Sequence, residues 1–357
     1  MMQLQTTLPK KKQKSRKTEN ETMQFKYGKD LDVIRLKQNV LKDPRAHLKE
    51  VAARIALFEN PKNLAAVKKC YICQNPGPFQ EVLSVWSVHY VQCPKCRHVF
   101  LPRRLSEKAM ESFYTHNKSY AATYANPESN RYRKEHVAKP KVDYVKQFVC
   151  KSKGRWLDVG TGSGEIVAVV QEKGWEVVGL ELSKTSCQFA KEQYGVDLIQ
   201  KTLNQYAASS KSGFDVITFY GVLEHLADPM SALKTAYGML VRGGILAAEV
   251  PNFDSLSTRV QAAFPKQAVR HAEPVGHMML FTLESLKKAF ELNGLTPLAA
   301  WYFGMDVHEL MFHLALGEAS FETHPVRNAL YEHLNYLQGI IDRSRLSDEI
   351  LMVGKKK

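Results

Sequence analysis

The chain has 357 residues, 44% of them hydrophobic, which suffices to bury a sizeable core in one large domain plus a smaller unit. No apolar run approaches the roughly 20 residues of a membrane-spanning helix, and the first residues lack the apolar core of a secretory signal, so a cytoplasmic location is expected. Of the formal net charge of +14, six Lys or Arg fall within residues 1–18 and three more are Lys355, Lys356 and Lys357; only +5 remains for everything between, which is too little to argue nucleic-acid binding from charge.

In chain order, residues 1–28 are polar and basic without periodicity and read as a disordered arm. Apolar residues at helical spacing from Asp30 to Glu59, broken at Pro44, predict a helical segment over 29–65. Residues 66–103 hold two CxxC pairs around the β-rich run EVLSVWSVHYVQ. Residues 104–150 form a Tyr-rich, charged lead-in with helical stretches. From Arg155 onward, strand and helix patterns alternate: RWLDVG, GEIVAVVQEKG, WEVVGLEL, KTSCQFAKEQYG, VDLIQ, FDVITFYGVLEHL, SALKTAYGMLVRGG, ILAAEVPN, ESLKKAFELNGL and a closing DEILMVGKKK. That order is an α/β, Rossmann-like sheet with its ligand at the carboxyl ends of the early strands, and the domain is expected to run over 104–357.

Cys70, Cys73, Cys93 and Cys96 make CxxC, a 19-residue spacer and CxxC, a spacing that lets four thiolates converge on one Zn²⁺. Four thiolates close the coordination shell, so this site is read as a structural zinc ribbon without chemistry of its own. His98 lies beside the second pair but is not needed as a ligand, and Cys150 and Cys187 read as ordinary residues.

The stretch WLDVGTGSGEI places Gly160, Gly162 and Gly164 at alternate positions after a strand that ends in Asp158. Its GxGxG spacing differs from the GxGxxG of dinucleotide sites, and Asp158 would face a cation more comfortably than a phosphate. Glu181, closing the second strand in GLELS, stands where an acid accepts hydrogen bonds from both ribose hydroxyls. These residues call for a nucleoside without naming the cofactor.

LDVGTGSG, the acidic GLELS, FDVI…LEHLADP and the VRGG turn, taken in this order, resemble the class I S-adenosylmethionine-dependent methyltransferases, in particular the branch of the ubiquinone-type O-methyltransferases, over residues 150 to the end. The resemblance implies a seven-stranded sheet whose last strand is antiparallel, preceded here by the ribbon. It implies S-adenosylmethionine as cofactor, with Asp158, Gly160, Gly162 and Gly164 around its methionine part, Glu181 on the ribose and Tyr220 beside it. Two departures stand out. Where the family has an acid near the adenine this chain has Thr202 and Leu203, so an apolar contact from Leu203 is expected; and the acid three residues before Glu224 is replaced by Gly221, so a catalytic divalent metal at Glu224 and His225 is not expected.

Methyl transfer from a sulfonium needs alignment and, for a hydroxyl acceptor, a base near neutrality. His225 in LEH, and His277 in HAEPVGHMMLFTLESL where this fold carries a substrate lid, are the candidates; each has as its alternative a packing role. Tyr120, Tyr124 and Arg131 are candidates to cover the cofactor. The expected activity is methylation of a small-molecule or saccharide acceptor, at oxygen. The alternative is an RNA methyltransferase using the ribbon and the basic arm, and a third reading is a non-catalytic S-adenosylmethionine-binding scaffold.

Overall fold

Alternation with a period of two decides which way each strand faces. Leu157, Val159, Ile217, Phe219, Leu246 and Ala248 bury on one face of the central sheet, and Trp156, Val216, Ile245 and Ala247 on the other. In the computed structural model, which describes residues 23–33, 35–36, 44–106, 108–109, 127–210, 213–267 and 270–357, the strands are β1 (Gln24–Tyr27), β2 (Leu64–Ala66), β3 (Gln80–Val85), β4 (Val88–Gln92), β5 (Val99–Phe100), β6 (Arg103–Leu105), β7 (Arg155–Val159), β8 (Glu176–Leu180), β9 (Phe214–Tyr220), β10 (Leu240–Pro251), β11 (Met279–Leu280), β12 (Leu295–Phe303) and β13 (Glu349–Lys356). The central sheet has seven strands in the order β8-β7-β9-β10-β13-β12-β1. The last strand, β13, runs antiparallel to both β10 and β12, as expected for this fold class.

Three expectations are corrected, and one stretch without an expectation gains structure. Within the stretch read as an arm, residues 1–28, Gln24–Tyr27 instead pair in parallel with Ala299–Tyr302 and form the seventh strand; four residues are too short a run for periodicity to reveal. Phe25 and Tyr27 stack on Tyr302 at centroid distances of 6.5 and 6.3 Å. Residues 1–22 lie outside the described residues. The strand expected from VDLIQ shrinks to one bridge, Ile199 to Leu180, because Thr202 and Gln205 form a reciprocal capping box that starts the helix Leu203–Ser209 at once. The helix Pro229–Met239 stops before the VRGG turn, which instead forms an irregularity inside β10 between Leu240 and Ile245. The chain between Leu295 and Arg343, unassigned from sequence, supplies β12 and three helices, Asp306–Gly317, Pro325–Glu332 and Leu334–Arg343.

The cysteine unit is part of this core. β2 and β6 pair antiparallel at its two ends, and between them β3, β4 and β5 form a sheet in the order β11-β5-β4-β3. Its fourth strand, β11, comes from the segment just before the helix Leu283–Leu292. Cys70, Ile72, Cys93 and Cys96 bury in the same cluster as Leu157, Phe219 and Leu223. An apolar ribbon face resting on the sheet explains why the two are continuous: neither surface is left to water. Among the described residues, no helix is long and apolar enough to cross a membrane.

Candidate active site

The cofactor side is built at the carboxyl ends of β7, β8 and β9. Asp158 is 1% exposed, and its carboxylate accepts a hydrogen bond from the Thr218 hydroxyl at 2.6 Å. Thr218 is held in turn by the Trp156 indole N–H, which donates to its oxygen at 3.0 Å. Burial pushes the Asp158 carboxyl up to about 7. On the same face Lys141 pairs with Glu249 at 2.6 Å and lies 5.2 Å from the Tyr220 ring centre. The Tyr220 hydroxyl is buried without a hydrogen-bond partner, a polar atom that a bound ligand would satisfy.

The three glycines divide their tasks. Gly160 has φ +68°, and a Cβ there would stand 2.7 Å from Val222 Cγ2, so the loop passes against the segment after β9. A Cβ on Gly162 would meet nothing within 4 Å, which leaves this residue facing open space. Gly164, at φ +85°, is instead a packing glycine: a Cβ would fall 2.8 Å from Ala190 Cβ, where the helix Glu165–Glu172 crosses the helix Lys184–Tyr194. Glu181 receives the Gly162 N–H at 2.9 Å and the Ser183 N–H at 2.8 Å, so its carboxylate ties the loop to the next helix. The cap of that helix is Ser183, whose side chain accepts from Ser186 N–H. Leu203 is 6% exposed and belongs to the core cluster that also holds Leu180 and Tyr206. Arg131 lines a cavity of about 520 Å³ with Arg35, Tyr132, Glu135 and His136, while Tyr120 and Tyr124 lie outside the described residues.

The acceptor side gathers Glu224, His225 and His277. Glu224 and His225 sit in a 3₁₀ turn after β9, and His277 comes from the segment before β11. The imidazole centroids are 5.1 Å apart, and one ligand atom from each of the three residues lies within 4.8 Å of the others. His225 Nδ1 lies 2.6 Å from the Gly276 carbonyl and His277 Nδ1 lies 2.6 Å from the His271 carbonyl. A carbonyl only accepts, so in both rings Nδ1 carries the proton and Nε2 keeps its lone pair. His225 Nε2 is 3.8 Å from Glu224 Oε1. Burial lowers both histidines from their ordinary value and raises Glu224 to about 8, so at neutral pH the imidazoles are uncharged and the carboxyl is protonated. A protonated carboxyl is a ready hydrogen-bond donor beside two uncharged imidazoles, and the spacing of the three ligand atoms would also admit a divalent ion.

Sequence reasoning missed the buried charges around this edge. Glu249 and Glu349 lie on neighbouring strands; burial, with the nearby Glu249 charge, raises Glu349 to about 8, and Arg270 reaches Asp348, Glu309 and Glu349. These residues lie far apart in the chain, and no local pattern marks them.

The four cysteine sulfurs converge within 4.8 Å of one another, with Cys70 to Cys96 and Cys73 to Cys93 each at 3.5 Å. A tetrahedral Zn²⁺ with Zn–S bonds of about 2.3 Å sets its sulfurs roughly 3.8 Å apart, so the donor set and its spacing fit that ion. Asn75 adds an N–H toward Cys93 Sγ at 3.7 Å.

Residues 130–300 match the family model described as a methyltransferase domain. The ubiquinone biosynthesis O-methyltransferase of Alkalilimnicola ehrlichii is 34% identical over 110 residues, covering 29% of this chain and 44% of that protein. Its namesake in Aliivibrio fischeri is 33% identical over 93 residues, covering 25% of this chain and 40% of that protein. The chain thus spans less than half the length of the curated relatives it matches. A solved S-adenosylmethionine-dependent methyltransferase from Archaeoglobus fulgidus aligns with 62% of this chain and 94% of its own at 19% identity, with a TM-score of 0.43. The methyltransferase resemblance read from the sequence agrees with the family match.

Proposed function

We propose that this chain, similar over residues 130–300 to the methyltransferase-domain family, methylates a hydroxyl of a small-molecule or saccharide acceptor with S-adenosylmethionine as donor. The observation that carries the reading is the facing pair His225 and His277, each with Nδ1 tied to a carbonyl and Nε2 free, on the carboxyl edge of the sheet that also carries the glycine loop. The names of the curated relatives favour oxygen over nitrogen as the atom methylated.

S-adenosylmethionine supplies an electrophilic methyl on a sulfonium. Asp158 and the loop from Gly160 to Gly162 receive its amino-acid end, Glu181 its ribose, and Tyr220 closes beside it through a hydroxyl that otherwise lacks a partner. Leu203, in the core at the start of its helix, supports the adenine side. His225 Nε2 takes the acceptor hydroxyl proton as the oxygen attacks, and His277 and protonated Glu224 orient that oxygen. With the donor bound, its methyl would pass to the acceptor oxygen as S-adenosylhomocysteine leaves, and the acceptor proton would rest on His225 Nε2, so that charge balances. The four cysteines hold one structural Zn²⁺ and take no part in the transfer.

The deciding experiment is transfer of labelled methyl groups into a total extract separated into RNA, protein and small-molecule fractions. Label in the small-molecule fraction is expected; label confined to RNA would replace the acceptor, and absence of S-adenosylhomocysteine binding by calorimetry would remove the methyltransferase reading itself.

A further inference from the structure

We propose that the four-cysteine ribbon is the positioning element of the acceptor side, holding the backbone of His277 opposite His225 through Tyr90 and the β5–β11 pairing. Tyr90 is fully buried on β4, and its hydroxyl donates to the His277 carbonyl at 2.8 Å, across 187 residues of sequence. The next four residues are anchored in succession. Leu101 N–H donates to the Met278 carbonyl at 3.0 Å, Met279 and Leu280 pair with Phe100 and Val99, and the Phe281 ring lies 4.7 Å from that of His98. Phe281 is held on its other side by the Pro251 carbonyl at the end of β10. The His277 N–H donates to the Glu273 carbonyl at 2.8 Å within its own segment, while the contacts of the His277 carbonyl and of residues 278 to 280 given above come from the ribbon.

The anchored residues carry one imidazole and adjoin the acceptor of the other. His277 itself is held through its carbonyl, and the Gly276 carbonyl that receives the His225 Nδ1–H is the next residue back, so a shift of the backbone at 276–277 would move both rings; the His277 ring is also tied to the His271 carbonyl. Cys93 and Cys96 lie in the turn between β4 and β5, where Cys93 N–H donates to the His98 carbonyl at 2.9 Å. A metal ion held by that turn would thus fix β5, and β5 fixes β11. On the cofactor side, by contrast, Glu181 is tied to Gly162 and Ser183, which belong to the β7 and β8 loops. Tyr90 is a positioning residue in this scheme, since it touches neither donor nor acceptor.

The proposal rests on reading His225 and His277 as the acceptor-side groups, and its test uses the full zinc-loaded chain with nitrogen-labelled histidines. Their ring resonances are assigned with His225→Gln and His277→Gln. In Tyr90→Phe, which keeps the ring and removes the donor, the His277 and His225 ring resonances are expected to move or broaden. Zinc content stays unchanged, and S-adenosylhomocysteine binds within about twofold of the parent, as befits a distant site. Chelation of the zinc in the parent protein should disturb the same two resonances more strongly, again with the ligand still bound. Unchanged histidine resonances in Tyr90→Phe would overturn the proposal. So would loss of ligand binding together with the histidine signals on chelation, which would make the ribbon a general scaffold. If the parent chain binds no S-adenosylhomocysteine, the methyltransferase reading fails, and the response of the histidine rings to Tyr90→Phe still decides the positioning claim.

Discussion

Thr218 donates its hydroxyl to the buried carboxylate of Asp158 at 2.6 Å, and burial still holds that carboxyl up to about 7. On the proposed reading, the ammonium of the cofactor meets Asp158 and favours its ionised form, so binding near or below neutral pH should release a proton from Asp158. Affinity for S-adenosylhomocysteine should therefore fall as pH drops from 8 to 6, and Asp158→Asn should flatten that dependence while weakening binding. Calorimetry across this range checks it; a slope unchanged in Asp158→Asn assigns the proton elsewhere. For the ligand-free fold the sign is opposite to that of a paired carboxylate. Its raised native pKa means that the folded state binds the extra proton between the ordinary Asp value and about 7, so this group's contribution to stability declines as pH rises through that window.

Replacing Glu181 by Ala removes the acceptor of two backbone N–H groups and the group assigned to the ribose. Hydrogen bonds to a charged partner are worth about 1.5–3 kcal/mol, so cofactor affinity should drop roughly ten- to hundredfold. Calorimetric titration with S-adenosylhomocysteine reads the loss, and zinc analysis should show the metal content unaltered.

His225→Gln and His277→Gln should leave cofactor binding intact. If His225 is the base, its loss slows methyl transfer by about 10²–10⁴-fold. Burial lowers the imidazole pKa, so the uncharged base persists below its ordinary value and the rate of the parent protein should hold steady on the acid side of neutrality before it falls. Labelled-methyl initial rates at several pH values separate the two histidines; an unchanged rate in both variants would leave them as packing residues.

One zinc per chain is expected from the four converging sulfurs. Because Cys93 and Cys96 bury in the cluster that also holds Leu157 and Phe219, Cys93→Ser should release the metal and lower the melting temperature of the whole domain together. Metal analysis with calorimetric unfolding tests this, and an independent low-temperature transition for the ribbon would contradict the shared core.

Gly164→Ala should destabilise the fold by about 1–3 kcal/mol, since φ +85° is strained for Ala and its Cβ would meet Ala190. Denaturant unfolding measures it. Gly162→Ala carries the backbone strain without the clash and should cost less stability, its added methyl instead entering the space beside the loop.

Local features were legible in the order of residues. Short apolar runs bounded by glycine turns specify β7, β9 and β10, two CxxC pairs specify a four-sulfur cluster, and GTGSG after Asp158 specifies a turn with three positive-φ residues. Each of these features is complete within a few residues, so its physics is legible in the order of the chain. Tertiary structure alone decided the rest. It turned Gln24–Tyr27 into an edge strand, gave Gly164 to helix packing, brought Lys141 to Glu249 across 108 residues and joined the ribbon to His277. Those pairings depend on strand register and on which apolar faces close against each other, and no spacing along one chain encodes the partner that a distant segment will supply.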